Sequence, residues 1–281
     1  MNYRHAFHAG NHADVFKHIL LTRLLGLFSR KEQPFAYLDS HAGLGLYDLQ
    51  GDQASRTGEY LEGIARVWAL GDQVPAAAAD YLRIVRKLNP DGELRYYPGS
   101  PELARRLARQ QDRVLLNEKH PEDGQLLKEN YQRDPRVTVH LGEGWHLPRA
   151  LLPVAEKRAI MLIDPPFEQL DELNRCAQAM KEAIGRMRQT IVAVWYPIKD
   201  DVRQMRRFHQ ELTSTGAPKL LQVELLVHPR DKAQSLNGSG MAIANPPWGL
   251  EEELKELLPW LAKTLGQSEG SWKMEWVIAE R

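Results

Sequence analysis

The chain has 281 residues, a formal net charge of zero and one cysteine, Cys176. That length suits one large domain. The charge balance excludes a globally basic nucleic-acid binder, so any such partner must be held by local patches. A lone cysteine excludes an intramolecular disulfide framework and a cysteine-rich zinc site. No signal-peptide pattern opens the sequence, and no apolar run approaches the roughly 18 residues of a membrane span. A cytoplasmic protein with no metal is expected.

The first residues, Met1-Asn2-Tyr3-Arg4-His5, lead into a segment rich in histidine. No H-E-x-x-H arrangement accompanies it, which argues against a metal. Asn11 can cap a helix starting at His12, with Asp14 in its first turn and Val15, Ile19, Leu20, Leu24 and Leu27 along an apolar face. Tyr3, Arg4 and Phe7 then form a polar-aromatic tail suited to closing over a site or touching nucleic acid.

Next, Pro34 to Gly45 reads as a short apolar strand ending in Asp39, followed by His41, Gly43 and Gly45. Glycines there allow close approach of backbone to a ligand. A strand-end acid beside G-x-G is the first cofactor loop of Rossmann-like methyltransferases. The full G-x-G-x-x-G of dinucleotide enzymes is missing, which argues against NAD. The next strand-end acid, Glu118 after Val114-Leu115-Leu116-Asn117, comes far later than the roughly 20 residues such folds use to reach a ribose. Two helical patterns, Tyr60 to Trp68 and Ala76 to Leu88, account for the excess as a helical insertion over residues 50–95. The crossover helix then starts at Ser100-Pro101, with Ser100 expected as its N-cap. Val137 to Leu141 is a third strand, followed by Gly142-Glu143-Gly144-Trp145, where a carboxylate can accept hydrogens from an adenine amino group.

Ala159 to Ile163 is a continuous apolar run, the mark of a strand buried on both faces. It ends in Asp164-Pro165-Pro166-Phe167. The prolines stiffen the backbone into a ledge at a strand's C-terminal end, where open α/β sheets bind ligands. Such a ledge suits methylation of an exocyclic amine on a nucleobase. Asp164 and the Pro165 carbonyl would accept the two N–H groups of this poor nucleophile, and Phe167 would stack on the base. Strands at 190–197, 220–227 and 240–244 complete a seven-stranded sheet, with residues 272–279 a candidate edge strand. Asn245-Pro246-Pro247-Trp248 is a second match to the ledge. It would follow the antiparallel seventh strand, so it should point away from the cofactor face and serve as a structural turn.

Taken together, these stretches identify a resemblance. Tyr3 to His18, Tyr37 to Gly43, Arg56 to Ile64, Arg95 to Pro101, Asp164-Pro165-Pro166, Trp195-Tyr196-Pro197 and Asn245 to Trp248 resemble the bacterial 23S ribosomal RNA adenine-N6 methyltransferases of the RlmJ family, over nearly the full chain. The resemblance implies a Rossmann-like class I S-adenosylmethionine-dependent α/β fold with an inserted helical subdomain. It implies methyl-donor contacts at His18, His41, Ser100, Glu118, Glu143, Gly144 and Asp164, with Gly43 in the adjoining loop. Asp164 would also take the amine proton, Tyr3 would touch the RNA, and residues 1–30 would cover the cofactor site. Two departures stand out: Phe167 where the family usually has tyrosine, and Glu143 where it can have aspartate. A DNA adenine methyltransferase needs the same ledge, and a non-catalytic nucleic-acid-binding protein could share the scaffold. No second basic recognition domain is evident, and Arg105, Arg106, Arg203, Arg206 and Arg207 read as solvated helix faces. A monomer is expected.

Overall fold

A computed structural model describes residues 4–233, 235–267 and 269–279. In chain order these form α1 (His12–Phe28), β1 (Ala36–Asp39), β2 (Leu46–Asp48), α2 (Asp52–Thr57), α3 (Ile64–Ala69), α4 (Ala76–Leu88), β3 (Tyr96–Pro98) and α5 (Ser100–Leu107). There follow β4 (Arg113–Glu118), α6 (Pro121–Tyr131), β5 (Val137–Leu141), α7 (Leu147–Leu151), β6 (Ala159–Ile163) and α8 (Glu172–Arg186). Last come β7 (Ile191–Ile198), α9 (Val202–Thr213), β8 (Leu220–Leu226), β9 (Gly238–Ala244), α10 (Leu250–Leu265) and β10 (Ser271–Ile278).

The main sheet has eight strands in the order β10-β8-β9-β7-β6-β1-β4-β5, one more than the seven expected. The added strand is β10, which pairs antiparallel with β8 at the sheet's edge. From β5 to β7 the pairing is parallel, and β9 runs antiparallel between β7 and β8. Burial on both faces explains the apolar runs. In β6, Ile160 and Leu162 pack into one core with α1, α4, α5 and α10, while Ala159, Met161 and Ile163 pack into the other with α8 and α9.

Helix α1 begins where its sequence says it should, with the Asn11 side chain accepting from the Asp14 N–H at 2.9 Å. It is buried nearly all round rather than along one face, because it packs against α4, α5, α10 and β9. Two local expectations need correction. Ser100 is the first helical residue of α5, and Gly99, with extended backbone (φ −78°, ψ 176°), holds the N-cap position without a side-chain bond. The Tyr60–Trp68 helix is broken at Gly63. A Cβ there would sit 2.1 Å from the Gly10 carbonyl oxygen, so only glycine lets the N-terminal segment cross so closely. The Ile64 N–H then donates to that carbonyl at 2.8 Å. A short antiparallel ladder of β2 and β3, not expected from the sequence, flanks α2 to α4.

Candidate active site

The C-terminal ends of β1, β4, β6 and β7, together with the start of α1, enclose a cavity of about 460 Å³. Asp164, Pro165 and Phe167 lie on its wall with His18, His41, Gly43, Ser100 and Glu118. The acid before the twin prolines and the glycine turn after the first strand therefore open onto one space. Parallel pairing of β1 with β6, Asp39 opposite Leu162, puts the two loops side by side.

On the β1 side the turn is tightly built. Gly43 has φ +62°, and a Cβ on it would meet the Tyr47 hydroxyl at 2.4 Å. Its N–H donates to Glu118 at 2.8 Å, and the other Glu118 oxygen accepts from the His120 N–H at 2.8 Å. Glu118 is thus held at the cavity edge by backbone alone. Asp39 lies beneath, accepting from the Tyr37 hydroxyl at 2.8 Å. Burial pushes its carboxyl up to about 6, against the opposing hydrogen bonds of Ser100 and Tyr37. So the Ser100 hydroxyl, freed from capping α5, serves Asp39 instead.

On the β6 side, Lys17 of α1 holds the ledge. Its ammonium lies 2.5 Å from Asp164 Oδ2 and 2.8 Å from Asp14 Oδ1. Burial alone would lower Lys17, but the charges of Asp14 and Asp164 outweigh it and raise it further above its usual range. Asp14 in turn binds His5 Nε2 at 2.9 Å, linking the N-terminal segment to the ledge. Because Lys17 takes Oδ2, Asp164 Oδ1 is the oxygen left for an incoming donor. Phe167 adopts φ 53°, a left-handed conformation that is rare and strained for a bulky residue and tends to occur at functional sites. Its ring meets Trp195 edge-on at 5.5 Å, and Lys17 Nζ lies 5.8 Å from the Trp195 ring centroid.

Not every candidate reaches this cavity. Glu143 pairs with Lys119 at 2.6 Å and lines a separate groove with Trp145. Gly144 is packed beneath His41, where a Cβ would come within 2.7 Å of the imidazole. Arg4 is engaged by Glu122 at 2.5 Å and Asp123 at 2.6 Å at the start of α6, so in this arrangement it fastens the tail beside the cavity. Tyr3 lies outside the described residues. Arg105 and Arg106 both bond Glu102 on their own helix, in keeping with a structural role. Asn245 sits at the other end of the sheet, since Ala244 pairs with Val192 at the start of β7. Its amide donates to the carbonyls of Arg188 and Thr190, the structural turn expected of it.

Sequence reasoning missed Lys17, Trp195, Lys199 and His228, all on the cavity wall. Trp195 carries a signal in hindsight, an aromatic at the end of a parallel strand beside the ledge. Lys17 does not, being one of several polar residues, with Asp14, His18 and Arg23, on a mostly apolar helix.

Three cavity histidines are kept neutral. Burial lowers His12 to about 4, and His18 and His41 to about 3. A histidine lowered on folding gives stability that is complete above its unfolded value near 6.5 and is lost as pH falls. Asp39, raised on folding, acts in the opposite sense between about 4 and 6. Between pH 4.5 and 6 these four groups should therefore hold about two more protons in the unfolded chain than in the native one, three on histidines less one on Asp39. Urea unfolding across that window should show stability rising with pH, and a flat or falling profile would contradict these neutral histidines.

The parallel sheet with an antiparallel β9, and a cavity at its strand ends framed by a glycine turn and a strand-end acid, define a class I S-adenosylmethionine-dependent methyltransferase. The donor set fits that cofactor: a fixed carboxylate at Glu118, a close-approach backbone at Gly43, and acids facing the space where a sulfonium would lie. Residues 32–278 match the family model described as ribosomal RNA large subunit methyltransferase D, RlmJ, and the chain belongs to that family. It is 44% identical to a Haemophilus influenzae protein and 42% identical to an Escherichia coli protein, each named ribosomal RNA large subunit methyltransferase J and each aligned over the whole of both chains. A crystal structure of a Legionella pneumophila protein superposes with a TM-score of 0.89 at 34% identity, covering 95% of this chain and 98% of that one. Among the described residues no helix is long and apolar enough to cross a membrane.

Proposed function

We propose that this chain methylates N6 of one adenine in 23S ribosomal RNA, acting as a cytoplasmic monomer, with Asp164, Pro165 and Phe167 as the catalytic ledge. The observation that carries this reading is the shared cavity, which brings the ledge of β6 and the glycine turn of β1 together. Bound there, S-adenosylmethionine supplies an electrophilic methyl group. His18, His41, Gly43, Ser100 and Glu118 hold it. Gly144 supports that wall from behind, through His41.

An adenine amine inside a duplex is out of reach, so the base must leave its stack. Phe167 and Trp195 then offer aromatic faces to hold it. The Pro165 carbonyl accepts one amine N–H and Asp164 Oδ1 the other, which favours a pyramidal nitrogen whose lone pair points at the methyl group. The methyl group would leave its sulfur, which becomes a neutral thioether, as the N–C bond forms, and Asp164 would take the surplus proton from the nitrogen. Much of the rate comes from this positioning. Residues 4–30 close the cavity through His5–Asp14, Lys17–Asp164 and the Arg4 clamp, and Tyr3 is assigned to RNA contact.

The test is to incubate 23S ribosomal RNA from cells lacking this protein with labelled methyl donor and digest it to nucleosides. Label in N6-methyladenosine is expected, and label in any other nucleoside would refute the reading. Phe167→Ala should weaken RNA handling by about 1–3 kcal/mol while sparing methyl-donor affinity. Equal losses in both titrations would remove the stacking role.

A further inference from the structure

We propose that the end of the sheet opposite the cavity is a second RNA-contact surface centred on Trp248, which grips ribosomal RNA away from the reacting adenine. The proposal rests on the ribosomal RNA reading above. It begins with charge. The loops at the cavity end, residues 40–45, 119–120, 142–143, 164–171, 199–201 and 227–237, hold four lysines and arginines against seven acids. Phosphates gain little there, although phosphate contacts dominate nucleic-acid affinity. The loops at the other end, residues 29–35, 108–112, 132–136, 152–158, 187–190 and 214–219, hold nine lysines and arginines against four acids, in a chain whose net charge is zero.

In the middle of that basic end stands an indole in water. Trp248 is 90% exposed, although its turn is rigid. Pro246 and Pro247 precede it, and Asn245 (φ 52°) ties the turn to its neighbours. The Asn245 amide donates to the Arg188 carbonyl at 2.8 Å, and its backbone N–H donates to the Lys219 carbonyl at 3.0 Å. On the other flank, a Cβ on Gly249 would lie 3.9 Å from Arg30 Nη1. The Arg188 and Lys219 backbones therefore lie on one flank of the turn and the Arg30 guanidinium on the other. The nearest acids, in the first turn of α10, are engaged. Glu253 binds Arg23 and Arg30, Glu252 binds Lys255, and Glu251 accepts from the Trp276 indole. A rigid exposed aromatic among cations is the arrangement that stacks an unpaired base while neighbouring side chains hold its phosphates. The same Asn-Pro-Pro-Trp that resembles a catalytic ledge would thus serve as a docking post.

The experiment uses the full chain and undermodified 23S ribosomal RNA. Trp248→Ala should raise KM for that RNA roughly tenfold, with kcat at saturation and methyl-donor affinity unchanged. Arg188→Glu with Lys219→Glu should reduce the log–log salt slope of 23S binding by about 1.5. Neither variant should change affinity for a short RNA that fills only the cavity. Unchanged KM and salt slope would overturn the proposal, as would equal losses on the short RNA. Loss of a sedimenting dimer with RNA affinity intact would assign the face to a second copy instead. If wild-type protein methylates the RNA while the variants bind it normally, only this inference fails. If wild-type protein leaves 23S RNA unmodified, both readings fail.

Discussion

Asp164→Ala is expected to lower the single-turnover rate of methyl transfer by at least ~10²-fold, the usual scale for removing a positioned proton acceptor. Two roles are lost at once. Oδ1 no longer orients the amine or receives its proton, and Lys17 loses one of its two carboxylate partners. Asp164→Asn separates these effects, since it keeps an acceptor oxygen but cannot take the proton or pair fully with Lys17. The rate should fall with both variants, further with alanine, while methyl-donor affinity changes less. Single-turnover rates near wild type for Asp164→Ala would take the residue out of the mechanism.

Lys17→Met is expected to be the most destabilising single change at the site, by ~3–5 kcal/mol in urea unfolding. The lysine side chain is 6% exposed and lies between Asp14 at 2% and Asp164 at 15%. Removing the cation leaves two carboxylates facing each other, Asp164 without its counter-charge and Asp14 with His5 alone. Methionine fills similar volume, so the loss would report charge rather than a cavity. Adding Asp14→Asn to Lys17→Met should recover part of the stability, because one of the stranded charges is gone. A single variant within ~1 kcal/mol of wild type would mean that the Asp14–Lys17–Asp164 chain contributes little.

The sheet was legible because its central strands are buried on both faces and so read as apolar runs, three of them ending in acids at Asp39, Glu118 and Asp164. The antiparallel direction of β9 was expected from the seven-stranded methyltransferase sheet rather than from residue pattern, and it separated Asp164-Pro165-Pro166-Phe167, at the cavity, from Asn245-Pro246-Pro247-Trp248. Elements fixed by tertiary contact were not legible. Gly63 looks like an ordinary helix residue until Gly10 is seen pressed against it, and the three-residue strands β2 and β3 are too short to show alternation. Ser100 looked like a cap because Ser-Pro so often starts a helix, but Gly99 took that position and left the hydroxyl for Asp39. At the site, the ledge and the glycine turn announced themselves through backbone-restricting residues. Lys17 did not, because its role arises only when α1 folds over the end of β6.

The most direct test of the shared cavity is a crystal structure with sinefungin, which resembles the methyl donor but cannot transfer a methyl group. The amino group that takes the place of the donor's methyl should lie between the Gly43 turn and Asp164, with Glu118 at the ribose and the Phe167 side of the cavity left open for a base. Sinefungin bound elsewhere, for example in the groove beside Glu143 and Trp145 with the Gly43–Asp164 space empty, would contradict the account.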